Sequence, residues 1–189
     1  VYLISDFDDL EYDLMDRKIT YQIKDIASFL QSKDIQDTRQ YFINDQKSYS
    51  EILDLTLQSG VYSRFSLDSN FKNDEYEKLY TEWINKSISK EVAVEVLVKN
   101  IDNTVVGFST LTQKSDYLAD IGLVAVDSKY RGRGIGKEVI LNTILEAHNR
   151  GFKSIQVVTQ LDNGPANTLY QSSGFSKESI KYIYHLWNK

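Results

Sequence analysis

The stretch "IGLVAVDSKYRGRGIGKEVI" (121–140) limits what this chain can fold into more than any other part of it. Its front half alternates like a strand, and its rear opens a helical pattern that runs to Gly151. Between them lie three of the chain's 9 glycines, Gly132, Gly134 and Gly136, interleaved with Arg131, Arg133, Ile135 and Lys137. Residues without a Cβ let successive backbone N–H groups approach a bound group closely. The helix start adds about half a positive charge from its aligned peptide dipoles. Strand, bare loop, helix start and cations together read as a cradle for a diphosphate. The bland rival is a solvated turn that happens to be glycine-rich.

Two familiar phosphate loops fail on this stretch. A P-loop needs G-x-x-x-x-G-K-[ST]. With its lysine on Lys137, Arg131 stands where the first glycine belongs and Glu138 where the hydroxyl belongs. A dinucleotide fingerprint needs G-x-G-x-x-G. Started at Gly132 or at Gly134, it meets Lys137 or Val139 in place of the third glycine. The pattern [QR]-x-x-G-x-[GA] is satisfied by Arg131, Gly134 and Gly136, with a strand before and a helix after.

Composition narrows the chemistry. At 189 residues, 41% hydrophobic and 26% charged, the chain is a globular domain with one core. A net charge of −5 with no basic stripe argues against nucleic acid as the main partner. The absence of cysteine rules out disulfides, thiolate ligands and a cysteine nucleophile. His148 and His185 are far apart and lack the spacing of a zinc site or a triad. There is neither an apolar run of the about 20 residues that span a bilayer nor a signal-peptide pattern. A cytoplasmic, metal-free protein without membrane insertion is the expectation. The chain opens at Val1 and its only methionine is Met15. Residues 1–30 are therefore expected to be the remnant of a truncated N-terminal region, ahead of one domain over 31–189.

The rest of the chain supplies the frame. "LEYDLMDRKITYQI" suggests one strand or a hairpin, and "IQDTRQYFI" a short strand or connection. "SYSEILDLTLQSG" predicts a helix with Ser50 as its cap and Gly60 as its end, and 74–87 a second helix. Strands are predicted at 92–98 and 105–111, joined by a turn at Asp102 and Asn103, then at 118–126 and 154–160. "NGPANTLYQSSG" predicts a short helix capped by Asn163 and stopped by Gly174, and "IKYIYHLW" a closing strand. The fold class is α+β with a mixed sheet.

At this point the sequence resembles the GCN5-related N-acetyltransferase (GNAT) superfamily. The resemblance rests on 121–140 and on "TQLDNGPANTLYQSSGF" (159–175), in the family's order and spacing, and spans about residues 35–189. It implies a central, mostly antiparallel sheet with splayed central strands, flanked by helices. It also implies that the loop Arg131–Lys137 holds the pyrophosphate of acetyl-CoA. Val124, Ala125 and Val126 would pair with the pantetheine arm, and Tyr170 would protonate the departing thiolate. "YSRFSLD" (62–68) and "YEKLYTEWINKSI" (76–88) are further similar to the branch that acetylates dTDP-linked 4-amino-4,6-dideoxy sugars, dTDP-fucosamine acetyltransferases above all. That likeness implies a nucleotide-sugar acceptor for polysaccharide synthesis and leaves room for a homodimer. The rival acceptors are a protein N-terminus, a lysine or a small amine. The rival from another class is a non-catalytic acetyl-CoA-binding module.

The residues can be weighed against that chemistry. A backbone N–H near Val124, freed where its strand splays, would meet the oxyanion, with Gly122 helping the strand distort. Asn163, Asn167 and Tyr170 recur at i, i+4 and i+7, one face of the short helix. Asn163 would hydrogen-bond the pantetheine, or be a helix cap alone. Tyr170 would be the acid, or a core aromatic. Glu95, Asp120, Glu82 and a water relay are all conceivable as base, and the sequence does not choose. For the acceptor, Arg64 could meet a nucleotide diphosphate and Tyr62 or Phe65 could stack on a base or sugar, with Tyr80 beside them. Ordinary packing and surface charge account for these residues equally well. The cradle reading predicts that CoA raises the thermal unfolding midpoint while ATP and NAD at equal concentration do not, which a melting assay checks.

Overall fold

The computed structural model describes residues 2–8 and 11–186. Eight strands form one sheet: β1 (Tyr2–Ser5), β2 (Asp13–Ile23), β3 (Gln40–Tyr41), β4 (Glu95–Ile101), β5 (Thr104–Gln113), β6 (Leu118–Val126), β7 (Ser154–Gln160) and β8 (Ser176–His185). Among the described residues six α-helices accompany them, α1 (Ile26–Gln31), α2 (Gln46–Ser59), α3 (Arg64–Leu67), α4 (Glu75–Ile88), α5 (Ile135–Asn149) and α6 (Gly164–Ser172), with a 3-10 turn at Ser128–Tyr130. The sheet order is β1-β8-β2-β7-β6-β5-β4-β3, and β6–β7 is its parallel pair, joined by the α5 crossover.

Two apolar clusters hold helices to the two faces. Ile140 and Ile144 of α5, Ile26 of α1 and Tyr170 of α6 pack on Ile19, Tyr21, Ile155 and Val157. On the other face, Ile52 and Leu55 of α2 and Ile84 of α4 pack on Val96, Val98 and Phe108. Each such side chain contributes roughly 1.5–3 kcal/mol by leaving water. The β4–β5 hairpin turns at Asp102 and Asn103, whose φ of 49° and 60° fit the left-handed pair that a two-residue hairpin needs.

Several expectations are revised by these contacts. Residues 13–31 are integral to the domain, because β2 lies between β7 and β8 in the interior of the sheet. The division expected at residue 30 therefore does not mark a boundary in the fold. Helix α2 starts before Ser50, since Asp45 caps it: Asp45 Oδ1 accepts from Ser48 N at 2.9 Å. The short elements β1, α1 and α3 carry too few residues for a periodic signal. Of the predicted closing strand, Trp187 lies outside the described residues. No helix among the described residues is long and apolar enough to cross a membrane.

A buried ionic network ties the sheet edge to α5. Glu146 accepts from Arg39 Nη1 at 2.8 Å, Tyr41 OH at 2.9 Å and Arg150 Nε at 2.7 Å. Burial works against its charge, but these donors outweigh it and hold the Glu146 carboxyl below the ordinary range. Stabilisation from a depressed carboxyl is complete above its unfolded value, near pH 4.5, and is lost as pH falls through the lower folded value. Glu146→Ala leaves Arg39 to Asp37, takes the acceptor from Tyr41 and weakens the hold on Arg150, and should cost about 3 kcal/mol in urea unfolding at pH 7. The deficit relative to wild type should shrink as the pH is lowered toward 3.

Candidate active site

The site begins with one extra residue in β6. Register with β5 runs Leu111↔Ile121 and then Ser109↔Val124, so Gly122 and Leu123 together oppose Thr110. Thr110 Oγ1 accepts from Leu123 N at 2.8 Å, and a Cβ on Gly122 would lie 2.9 Å from that oxygen. The bulge also exchanges faces. Ala119 and Ile121 belong to the α5-side cluster, whereas Leu123 and Ala125 belong to the α2 and α4 side.

Past the bulge the parallel pair comes apart. β6 and β7 are in register from Leu118↔Ser154 to Ile121↔Val157, after which Val158–Gln160 stay paired with β2 and Val124–Val126 with β5. Asp127 N donates to Val106 O at 2.9 Å, which marks a bonded position of the β5–β6 pair. Bonded and non-bonded positions alternate in antiparallel pairs, so the N–H groups of Val126 and Val124 turn away from β5 toward the gap.

The glycine loop closes the other side. Gly132 and Gly134 have φ of 77° and 81°, the left-handed region that side chains resist. Gly134 is the N-cap of α5 and brings no capping side chain. The first amides of α5, at Ile135, Gly136 and Lys137, are thus left without side-chain or intrahelical acceptors. Arg131 Nε donates to Val126 O at 2.9 Å, which folds its guanidinium over the end of β6.

Between these elements lies a cleft of about 510 Å³. It brings together Val124, Ala125, Val126, Arg131, Gly132, Gly134, Ile135, Gly136, Lys137, Asn163 and Tyr170, with Tyr62 at its edge. Arg133 does not line it; its guanidinium lies 5.2 Å over the Tyr130 ring. Asn167 does not line it either. Its amide donates to Leu161 O at 2.9 Å and Asn163 O at 2.8 Å and accepts from Tyr21 OH at 2.9 Å, bracing α6 against β7. Asn163 Oδ1 accepts from Ala166 N at 3.2 Å as the helix cap.

The other acceptor candidates, Arg64, Phe65 and Tyr80, do not line the cleft. Tyr80 is buried against Tyr76, under Gly60. The Arg64 guanidinium lies 4.6 Å over Phe65 and 5.0 Å over Tyr2, and its Nε is buried without a hydrogen-bond partner. Sequence reasoning missed Gln58, Ser59 and Val61 from the end of α2, and Pro165, Ala166 and Leu169 from α6. Gln58 Oε1 accepts from Ser128 N at 3.2 Å, and nothing in a lone glutamine signals that contact.

Two titratable groups stand out. Tyr170 is 5% exposed, and burial and then the charge of Asp120 push its hydroxyl up. Asp120 is itself pushed up by burial, against the pull of Gln156, Lys114 and Lys18. Its Oδ1 is buried and unpartnered. The rival carboxylates are engaged: Glu95 pairs with Arg150 at 2.7 Å, and Glu82 with Lys86 at 3.0 Å. Among the described residues, no group of three or more acidic, histidine or cysteine side chains could hold a metal.

Parted strands with N–H groups facing the gap, beside an uncapped helix start, make an acyltransferase type of site. The Acetyltransferase (GNAT) family profile matches residues 59–175, and the chain belongs to that family. It is 26% identical over 136 residues to the spore coat polysaccharide biosynthesis protein SpsD of Bacillus subtilis, covering 72% of this chain and 46% of that one. It is 28% identical over 110 residues to a dTDP-fucosamine acetyltransferase of Escherichia coli O6:H1, covering 58% and 46%. The chain therefore spans about half the length of these curated relatives. An acetyltransferase of the GNAT family from Colwellia psychrerythraea shares the fold, with a TM-score of 0.66 at 15% identity over 97% of this chain and 64% of that one.

The left-handed Gly134 gives a direct test of the loop. Gly134→Ala must force an L residue to φ 81° and should lower stability by about 1–2 kcal/mol in chemical denaturation.

Proposed function

We propose that this enzyme transfers the acetyl group of acetyl-CoA to the amine of a dTDP-linked 4-amino-4,6-dideoxy sugar, in the cytoplasm. The observation that carries the transfer is the gap between β6 and β7, where the Val124 N–H faces the same cleft as the Gly134 loop. Similarity to SpsD and to a dTDP-fucosamine acetyltransferase supports the acceptor class.

In this reading the diphosphate of acetyl-CoA rests on the amides of Ile135–Lys137 with Arg131 and Lys137 beside it, and the pantetheine arm runs along Val124–Val126. The thioester carbonyl oxygen meets the Val124 N–H. The amine lone pair attacks the carbonyl carbon, and the developing oxyanion is stabilised there by about 3 kcal/mol. Collapse breaks the C–S bond. Tyr170 gives its proton to sulfur, and Asp120 takes the proton that the amine loses, directly or through one water.

The structure favours Asp120 over the other carboxylates. It stands one residue before the last register pair of β6 and β7, its Oδ1 lacks a partner, and its charge is felt at Tyr170. That coupling has a consequence for the acid. Burial and the Asp120 charge both keep Tyr170 protonated in the resting enzyme. Once Asp120 has taken the amine proton its charge is gone, and Tyr170 becomes a better donor as the thiolate forms.

The acceptor approaches from the sheet face away from α6. Ile19, Tyr21, Ile155 and Val157 face the α5 side, so alternation puts Lys18, Gln156 and Gln160 on the opposite face, half-buried. Tyr62 lines the cleft, and Arg64, close enough to oppose the burial of Asp16, is the cation we assign to the acceptor's phosphate.

Thiol release from acetyl-CoA with a dTDP-4-amino sugar tests the reading. Release with peptide amines and none with the sugar would replace the acceptor class. Tyr170→Phe and Asp120→Asn should each lower kcat about a hundredfold, with acetyl-CoA affinity held within about twofold. Because a base must be ionised, the acid limb of kcat/KM should vanish in Asp120→Asn and persist in Tyr170→Phe.

A further inference from the structure

Residues 61–71 carry Tyr62, Arg64 and Phe65, and part of the segment lies at the surface. Val61 is 50% exposed and Leu67 62%. Its internal bonds are local, with Leu67 N donating to Ser63 O at 3.0 Å and Phe71 N to Asp68 O at 3.1 Å. Within it one carboxylate is buried. The Asp68 side chain is 2% exposed, and its Oδ2 accepts from His185 Nδ1 at 2.5 Å; the His185 side chain is 5% exposed.

Burying an acid and an imidazole is costly unless their contact is made, which makes the contact directional in a way apolar packing is not. The carboxylate also shapes the loop. Asp68 Oδ1 accepts from Asn70 N at 2.9 Å and Asn70 Nδ2 at 2.8 Å, turning the chain back to Phe71. The Phe71 ring meets the His185 ring edge-on at 5.8 Å and the Phe65 ring at 5.2 Å. Phe65 in turn lies under Arg64. The anchor itself is rigid, because His185 ends β8 opposite both Tyr2 of β1 and Asp13 of β2.

We propose that the Asp68–His185 contact positions the acceptor loop on the sheet, setting where Tyr62, Arg64 and Phe65 stand relative to the cleft. Both are positioning residues and touch neither substrate. The proposal rests on the reading that this loop faces the acceptor. It separates the two substrates: the donor cradle at Val124 and Gly134 is built on other elements and does not depend on the contact.

The test compares His185→Phe, which keeps a ring and loses the donor, with His185→Asn, which restores a donor near the Nδ1 position, and with the isosteric Asp68→Asn. His185→Phe should raise the acceptor KM about tenfold with acetyl-CoA affinity within about twofold, and His185→Asn should recover most of the loss. Amide hydrogen exchange should speed up over 63–71 in His185→Phe and Asp68→Asn and stay unchanged over 131–137. Unchanged KM and exchange, a parallel loss of acetyl-CoA affinity, or a His185→Asn no better than His185→Phe would each overturn the proposal. If the enzyme acetylates a different amine, the proposed acceptor fails while the KM for that amine still reads the contact. If it acetylates none, hydrogen exchange alone decides.

Discussion

Opposite Thr110, β6 carries one residue more than its partner strand, and most of the site follows from that count. With two residues against one, β6 bends and exchanges faces, so Leu123 and Ala125 turn under α2 and α4. A regular β6 would keep odd-numbered residues on the α5 side and could stay zipped to β7 along its length. The bulge instead lets β7 continue with β2 while β6 continues with β5. The price is a row of backbone groups at Val124 and Val126 without a strand partner, and those groups are what an acyl donor needs.

The same economy shapes α5. Its first turn is left without a side-chain cap at Gly134, which forgoes only about a few tenths of a kcal/mol relative to a serine or aspartate. Its last turns are heavily bonded, through Glu146 to Arg39, Tyr41 and Arg150. A helix held at its C-terminal end and open at its N-terminal end offers its dipole to a ligand without fraying. Stability and binding thus occupy opposite ends of one element.

Asp120 and Tyr170 show burial acting on chemistry. Neither group has a large cationic neighbour in direct contact, so desolvation sets the direction of both shifts. An acid raised toward neutrality suits proton acceptance from an amine, and a phenol kept neutral suits donation to sulfur. The Asp120 charge acts on Tyr170 across the point where β6 leaves β7, so the two groups are electrostatically coupled.

The sequence by itself determined the strand–loop–helix of 121–151, the hairpin at Asp102 and Asn103, the short helix from Asn163, and through these the family. Each is a local matter: periodicity, glycine where φ is positive, a side chain that caps. It also named most of the cleft, because Val124–Val126 and Arg131–Lys137 are contiguous. Only the tertiary structure decided the rest. Asn167 shares a helical face with Asn163 and Tyr170 by count, yet Tyr21 and the carbonyls ending β7 claim its amide. Gln58 reaches the loop from a different helix, and β2, read as part of an N-terminal remnant, proved to be an interior strand. Among the carboxylates conceivable as a base, Glu95 and Glu82 are held in ion pairs, which no local pattern signals. Pairings between residues distant in the chain leave no mark on local pattern, since they depend on which surfaces the folded sheet brings face to face.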